Sequence, residues 1–427
     1  MHDRQLFTRE QFANGLELYT YQHPSPICRM EFIFPVGAGH AHAGNGLLPG
    51  SPHFLEHTQL IRSQSFPAAY ELDRELGLKG GHTNGTTYQS HTHYELDAPA
   101  QHLDFAVEAL LDRVYRPIFD EDDLKPERSV VINERNQRKF YPGNSQVGKY
   151  YHTEFMQDQD FSLEQLFGSD QNLEAMNPDY LRDMHKRISF HEGTKVLAVG
   201  PSDFSELSRR LAEIPTVKGN FTLNATEATW ADPNYRTVFF DTVSQPTLEV
   251  AWLRPRTGYQ EFRAISFIVS LLTNSIHGAL YQELREEKGW TYGLDGYAQQ
   301  RHQNTVFGLS FPLNNVKQVD FVRECLLERI ASAIDNQALV EAEIARYVSS
   351  QVYSYQTASS ILEGASYDLD TYGRIYAEGE WQEAVRMVGD PKWRKRIFTE
   401  HFSAKDMGSI CFMPERRHMV PEREITA

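Results

Sequence analysis

The sequence predicts an α+β fold of two homologous mixed α/β domains, each a β-sheet packed by helices. The first observation is an internal repeat: residues 104–114 read DFAVEALLDRV, residues 320–330 read DFVRECLLERI, and six of the eleven positions are identical. The second is that a strand-like run ending in proline precedes both copies, YELDAP and FGLSFP. The third is a stretch rich in Thr, Asn, Gly and Pro at 215–234, a composition typical of a connecting segment. We therefore predict a first domain over 1–214, a linker over 215–234 and a second domain over 235–427.

Each half begins with strands and continues with helices. The runs GLELYTYQ at 15–22 and CRMEFIFP at 28–35 have the alternation of strands. QHLDFAVEALLDRVY at 101–115 has apolar residues at helical spacing. MNPDYLRDMHKR at 176–187 carries an asparagine cap followed by a proline in the first helical turn. The second half opens in the same way, with two strands before a helix predicted near 260–276.

The composition is that of an acidic globular protein. Acidic residues outnumber basic ones by 58 to 42, and this net charge of −16 argues against a nucleic-acid partner. No run approaches the roughly 18 to 20 apolar residues of a membrane helix, and the first residues show no targeting signal. The 3 widely spaced cysteines suggest no disulfide framework. We therefore expect a cytoplasmic protein with no membrane partner.

The strongest chemical signal is the run HFLEH at 53–57. Residues four apart share a helix face, so the imidazoles of His53 and His57 can point at one ion. Glu56 lies beside them, where its carboxylate can reach a water molecule on that ion without binding the ion itself. Imidazole and carboxylate ligands with one open position are the donor set of catalytic zinc sites. The pattern H-x-x-E-H therefore predicts zinc; the alternative is a helix whose histidines cap or pack.

A zinc site of this kind needs a third protein ligand, and the segment at 123–140 offers two candidates. Glu127 and Glu134 are seven residues apart, about two helical turns, and therefore share one face of a helix. From the spacing alone, either carboxylate could complete the site. The alternative is that both belong to a solvated helix face.

Together these motifs resemble the insulinase and pitrilysin type of zinc peptidases, the inverzincins, which include the mitochondrial processing peptidase subunits and half-sized bacterial relatives. The run at 53–57 is followed by Glu134 at the place of the family's third ligand. GGHTNGTTYQSHTHYE at 80–95 resembles the family stretch GGxxNAxTxxDxTxY, with Asn84 at the asparagine. LYQELREEKGWTYGL at 280–294 resembles the family segment LxxELREKxGLAYxV.

The resemblance implies a role for each acidic and histidine side chain of the site. His53, His57 and Glu134 would bind zinc, and Glu127 would support the site from the same helix as Glu134. Glu56 would be the general base that takes a proton from the attacking water. These roles describe a metalloendopeptidase acting on peptides.

The resemblance also implies that the second half contributes to substrate binding and catalysis. Tyr292 would donate its hydroxyl to the developing oxyanion, and Arg285 would hold a substrate carbonyl. An extended peptide would add as a strand near Asn84, inside a closed chamber that admits short unstructured peptides. Family members contain four such units, so a chain with two predicts a homodimer, or a heterodimer with a related half-sized chain.

Some positions depart from the family pattern. Thr-Gln-Leu at 58–60 replaces a continuation that usually contains methionine, and Gly85 stands where alanine is common. In the loop at 37–51, His40 and His42 could form a second metal site, but we expect a solvated loop. None of these changes touches a predicted ligand, so they bear on substrate range.

Two other classes of function remain as alternatives. The first is a catalytically silent relative that acts as a structural or peptide-binding subunit of a larger complex, which would show eroded ligands. The second is a peptide-binding or metal-storage protein without hydrolytic activity. Zinc binding without cleavage of any peptide would favour the second alternative over the enzyme.

Overall fold

The computed structural model describes residues 7–140, 155, 163–224, 229–241, 243–274 and 277–415. The described residues form two compact units. Those within Met1–Gln137, Ser162–Ala225 and Gln351–Ala377 form the first unit, and those within Arg138–Phe161, Thr226–Ser350 and Glu378–Ala427 form the second.

The first unit is built on a six-stranded sheet. Its strands, in chain order, are β1 Thr8–Gln11, β2 Glu17–Gln22, β3 Ile27–Phe34, β4 His82–Thr87, β5 Thr92–Pro99 and β6 Lys195–Gly200. The spatial order is β1-β2-β6-β3-β5-β4, so β4 is an edge strand. β2 and β6 run parallel, and the other neighbouring pairs are antiparallel.

The second unit is built on a five-stranded sheet. Its strands are β7 Arg236–Phe240, β8 Thr247–Pro255, β9 Asp295–Gln300, β10 Asn304–Pro312 and β11 Met407–Pro414. The spatial order is β7-β11-β8-β10-β9. Here β7 and β11 run parallel, and the other neighbouring pairs are antiparallel.

Helices pack against both sheets. The N-terminal half contains α1 Ser51–Gln59, α2 Glu71–Leu78, α3 Leu103–Tyr115, α4 Glu121–Phe140, α5 Leu163–Phe167, α6 Asp170–Ala175, α7 Pro178–Ile188 and α8 Ser205–Ala212. The remainder contains α9 Tyr259–Thr273, α10 Ala279–Tyr281, which continues as a π-helix over Gln282–Glu287, α11 Val316–Asp335, α12 Gln337–Ser350, α13 Ala358–Tyr372, α14 Glu378–Gly389 and α15 Pro391–His401. Among these described helices, none is long and apolar enough to cross a membrane.

The predicted fold class is confirmed, and the sheets reproduce the internal repeat. The order β2-β6-β3-β5-β4 in the first sheet corresponds strand for strand to β7-β11-β8-β10-β9 in the second, including the single parallel pair. The repeated sequence forms equivalent helices, α3 and α11. Leu110 and Val114 are buried in the first core, and Leu326 and Ile330 are buried in the second. Burying each such side chain contributes roughly 1.5–3 kcal/mol, which explains why these apolar positions recur.

The helix α13 differs from the sequence-based expectation. It falls within the predicted second domain, 235–427, yet it packs against the sheet of the first unit. The helix buries Ile361, Leu362, Ala365 and Leu369 against four residues of that sheet, namely Tyr19, Ile33, Leu197 and Val199. These strand residues are apolar and lie on the face opposite the main core, so that face needs a cover to exclude water. Local pattern identifies α13 as amphipathic but does not say which sheet it covers.

Candidate metal centre

The helix α1 carries the H-x-x-E-H run. It begins after Gly50, whose φ of 83° is left-handed, and a Cβ there would overlap the backbone of residues 167–168. Only glycine fits such a place without strain. The helix then places His53, Glu56 and His57 on one side of its axis. His53 and Glu56 are 6% and 5% exposed, a degree of burial that polar side chains rarely show without a partner.

The two imidazoles meet one carboxylate from α4. The Nε2 atoms of His53 and His57 are 3.2 Å apart, and Glu134 Oε2 lies 3.5 Å from each of them. Glu127, two turns earlier on the same helix, instead places its Oε1 2.7 Å from Nδ1 of His57. The two glutamates that spacing alone could not distinguish therefore lie at different nitrogens of the His57 ring.

These three atoms fit the donor geometry of zinc. Ligand distances of about 2.0–2.1 Å in a tetrahedral site put neighbouring donors about 3.3 Å apart. The observed separations of 3.2, 3.5 and 3.5 Å form a nearly equilateral triangle of that size. Glu56 is a further candidate by proximity, since its carboxylate also lies within 4.8 Å of a ring nitrogen of each histidine. Its Oε2 is 4.0 Å from His53 Nε2, longer than the distances made by Glu134.

The electrostatics of the pocket favour a cation. Burial raises the pKa of Glu56 to about 7, although the nearby His57 and a hydrogen bond from Thr87 act in the opposite direction. Burial alone would lower the pKa of His57, but its interactions with Glu127 and Glu134 outweigh burial and raise this pKa to about 10. The carboxylates of Glu56, Glu127 and Glu134 thus lie close to the two imidazoles. A divalent cation bound there would reduce the repulsion among these carboxylates.

Four residues around the site were given no role there by the sequence analysis, although Gly85 was noted as a departure from the family pattern. The Thr87 hydroxyl donates to Glu56 Oε2 at 3.3 Å, and the Tyr70 hydroxyl donates to Glu127 Oε2 at 3.3 Å. Phe167 packs edge-on against the His53 ring, with centroids 5.0 Å apart. A Cβ at Gly85 would overlap the Glu56 carboxylate, so the lack of a side chain at this position lets the carboxylate lie close to β4.

The sequence carried a signal for one of these residues, and the backbone of the folded chain carries one for another. Thr87 falls on the threonine of the family stretch GGxxNAxTxxDxTxY. Tyr70 precedes α2 and has a left-handed φ of 56°, rare for a residue with a side chain. Such strained backbone is often found beside functional sites, but it is invisible before the chain is folded.

Asn84, Arg285 and Tyr292 lie on elements other than α1 and α4. Asn84 is exposed on the edge strand β4 and donates to Glu95 Oε1 at 3.4 Å. Arg285 and Tyr292 belong to the second unit, where the guanidinium carbon of Arg285 lies 4.9 Å from the centroid of the Tyr292 ring. Tyr292 is 88% exposed. The roles predicted for these three residues remain predictions.

The glycine-rich loop is folded rather than solvated, and this part of the sequence-based expectation was wrong. His40 is 6% exposed, and its Nδ1 accepts a hydrogen bond from the Gly37 N–H at 3.0 Å. His42 Nε2 lies 2.8 Å from the carbonyl oxygen of Thr222. The glycines let the loop approach its neighbours, because a Cβ on Gly37 would overlap the backbone of Tyr88 and His91. Both histidines therefore serve the packing of this loop.

The sequence matches two known family profiles and several known proteins. Residues 18–166 match the insulinase profile (peptidase family M16), and residues 175–350 match the profile of the peptidase M16 inactive domain. Coenzyme PQQ synthesis protein F of Pseudomonas aeruginosa is 33% identical over 118 residues, 28% of this chain and 15% of that protein. An uncharacterized zinc protease of Mycobacterium bovis is 26% identical over 272 residues, 61% of this chain and 59% of that protein. The matched stretches thus span less than two thirds of either relative's own length.

A solved structure has the same fold. The crystal structure of a protease from Helicobacter pylori superimposes with a TM-score of 0.78 at 18% identity, covering 96% of this chain and 100% of that one. The two profile matches lie one after the other along the chain, and the relatives include zinc proteases. The chain belongs to the insulinase family of peptidases, peptidase family M16.

Proposed function

We propose that the chain is a zinc-dependent endopeptidase of the H-x-x-E-H type, with His53, His57 and Glu134 as the metal ligands. The triangle of donor atoms, 3.2 to 3.5 Å on each side, carries this proposal. Glu134 is preferred to Glu127 because its Oε2 approaches both Nε2 atoms. Hydrolysis of a peptide library by the zinc-loaded chain, and its loss on substitution of Glu56, tests this function.

Glu56 is the proton carrier in this proposal. Zinc, when bound, acidifies water and polarises the scissile carbonyl. Glu56 takes a proton from the attacking water and delivers it to the leaving amine. Its burial suits this task, because a carboxylate with a raised pKa binds a proton more strongly than an exposed glutamate does. Thr87 holds one carboxylate oxygen through its hydroxyl.

Glu127 positions a ligand rather than binding the metal. Its hydrogen bond to Nδ1 fixes the orientation of the His57 ring and leaves Nε2 to face Glu134. A carboxylate behind a metal-binding histidine also makes the imidazole a stronger donor. Tyr70 holds the other oxygen of Glu127, so the orientation of His57 depends on a chain of two hydrogen bonds.

The substrate would bind along β4. Among the described strands, β4 pairs only with β5, so no described strand pairs with its other edge. Gly85 and Thr87 on this strand approach Glu56, so a peptide added there would pass the proton carrier. The exposed Asn84 could bind its backbone. Main-chain pairing selects an extended shape more than a sequence, so short unstructured peptides, including a precursor awaiting maturation, are the expected substrates.

We expect Thr87→Val to move the acidic limb of the pH–rate profile to higher pH. The hydroxyl hydrogen bond favours the charged form of Glu56 and lowers its pKa, so its removal raises the pKa at which the base becomes protonated. The shift in kcat/KM should be below about one pH unit, since one hydrogen bond contributes about 1 kcal/mol. Thr86→Val is the matched control, because alternation along β4 points Thr86 to the other face. An equal shift in that control would contradict the assignment.

Tyr292→Phe tests the contribution of the second unit. If the Tyr292 hydroxyl donates to the developing oxyanion, its loss should lower kcat by about 10² to 10³ with zinc content unchanged. Arg285→Ala should raise KM more than Tyr292→Phe does, because that guanidinium is assigned to holding a substrate carbonyl. Steady-state kinetics with one fluorogenic peptide distinguish the two effects. If the Tyr292→Phe enzyme kept the wild-type kcat, the Tyr292 hydroxyl would not be the oxyanion donor.

We also propose that the active assembly is a dimer. The family resemblance implies four units, and this chain supplies two. Both the H-x-x-E-H run and the segment with Arg285 and Tyr292 occur in one chain, which permits a homodimer or a pairing with a related half-sized chain. The cytoplasmic location remains a prediction of the sequence.

A further inference from the structure

A second group of metal-binding side chains is formed by residues of the second unit alone. Glu261 lies in the first turn of α9, and Glu400 and His401 lie at the end of α15. One carboxylate oxygen of each glutamate and one ring nitrogen of His401 lie within 4.8 Å of one another. The peptidase mechanism uses none of these residues.

The surroundings of His401 are those that a bound ligand would complete. His401 is 8% exposed, and neither Nδ1 nor Nε2 has a hydrogen-bond partner among the described residues. Burying polar atoms without partners is unfavourable, and native structures contain few examples that lack an explanation. Imidazole is the commonest protein ligand of transition metals, and its neutral form offers the required lone pair.

The charges around His401 also favour a cation. Glu261 and Glu400 bring two carboxylates, while Arg396 approaches each of them at 3.9 Å. Such long contacts from a half-exposed arginine are weak, and one guanidinium offsets only one of the two negative charges. Arg254 also lies near His401, but its guanidinium pairs with the Asp406 carboxylate. One negative charge therefore remains uncompensated beside the imidazole.

We propose that Glu261, Glu400 and His401 bind a second zinc ion that takes no part in peptide cleavage. One imidazole and two carboxylates suit zinc, whereas magnesium and calcium prefer oxygen ligands alone. Donors of a zinc ion lie about 3.3 Å apart, so the partly exposed glutamates would rotate towards His401 on binding. The ion would give one nitrogen of the buried imidazole a partner, and it would join the first turn of α9 to the last turn of α15.

Metal counting in a chain without the first site tests this proposal. In the His53→Ala/His57→Ala chain, stripped with a chelator and titrated with zinc, we expect one zinc per chain and a rise in Tm. Adding His401→Gln should abolish both the bound zinc and the rise. The matched control is His302→Gln, which replaces an exposed histidine of the same unit and should leave both unchanged.

The outcomes of this titration are distinct. No zinc in the His53→Ala/His57→Ala chain would overturn the proposal, and so would zinc that survives His401→Gln or disappears equally with His302→Gln. Should His401→Gln fail to fold, Glu400→Gln changes only an exposed ligand and should weaken zinc binding by at least about 10-fold. Unaltered affinity in that variant would also overturn the proposal. In the otherwise unchanged chain, His401→Gln should leave peptide cleavage as it is.

Discussion

Glu134→Gln is expected to remove the zinc and, with it, peptide cleavage. Glutamine preserves the size of the side chain but replaces an anionic donor, which lies 3.5 Å from both imidazole nitrogens, with a neutral amide. The affinity should fall by more than about 100-fold, beyond the loss caused by changing a residue that only supports a ligand. Metal analysis of the purified chain after dialysis measures this directly.

Glu127→Gln is the matched control for that experiment, since it makes the same chemical change on the same helix. It weakens the hydrogen bond to His57 Nδ1 and leaves the donor triangle in place. We expect zinc affinity to fall by about 10- to 100-fold with the stoichiometry still near one when zinc is in excess. If Glu127→Gln lost the metal while Glu134→Gln kept wild-type occupancy, the ligand assignment would be wrong.

The Glu56→Gln variant is expected to keep the bound zinc and lose peptide cleavage. The amide cannot accept and return a proton, so kcat should fall by at least about 10² to 10⁴. The triangle formed by His53, His57 and Glu134 does not include Glu56, so zinc content should remain that of the unmodified chain. Cleavage rates measured on one peptide and divided by the measured zinc content separate the effect on kcat from the effect on metal binding.

A stability measurement provides the control for Glu56→Gln. The pKa of Glu56 is raised in the folded chain, so ionising this buried carboxylate opposes folding at every pH above the unfolded pKa of about 4.3. A neutral glutamine removes that penalty, and the metal-free variant should have a Tm no lower than that of the unmodified chain. Substantial turnover by a folded, zinc-loaded Glu56→Gln chain would exclude Glu56 as the base. Zinc-loaded unmodified protein that cleaves no peptide would favour the binding or structural alternatives.

Much of the fold follows from local pattern. The alternation in GLELYTYQ and CRMEFIFP corresponds to β2 and β3, and the amphipathic run at 101–115 contains α3. Asn177 caps α7 as its place before a proline predicts, because its side chain accepts the N–H of Tyr180 at 3.0 Å. These features depend on neighbours in sequence, which explains why the sequence alone predicts them.

The site was only partly predictable, because it depends on contacts between residues that are distant in sequence. Helical spacing places His53 and His57 on one face, but two glutamates on one face of α4 are equivalent until the helix is docked. Docking sets Glu134 against both Nε2 atoms and Glu127 against Nδ1. The approach of Thr87 to Glu56 likewise joins residues 31 apart in sequence.

The repeat, the acidic net charge, the position of the H-x-x-E-H run and the presence of two units in one chain could all be read from the sequence. Helical spacing left open which nitrogen of His57 each glutamate meets, and the contacts of the folded chain show it. The burial of the loop around His40 and the packing of α13 on the first sheet likewise depend on tertiary contacts. The physical reason is that secondary structure and side-chain chemistry are local properties. Burial, pKa and hydrogen-bond partners arise only where distant segments exclude water from the same space.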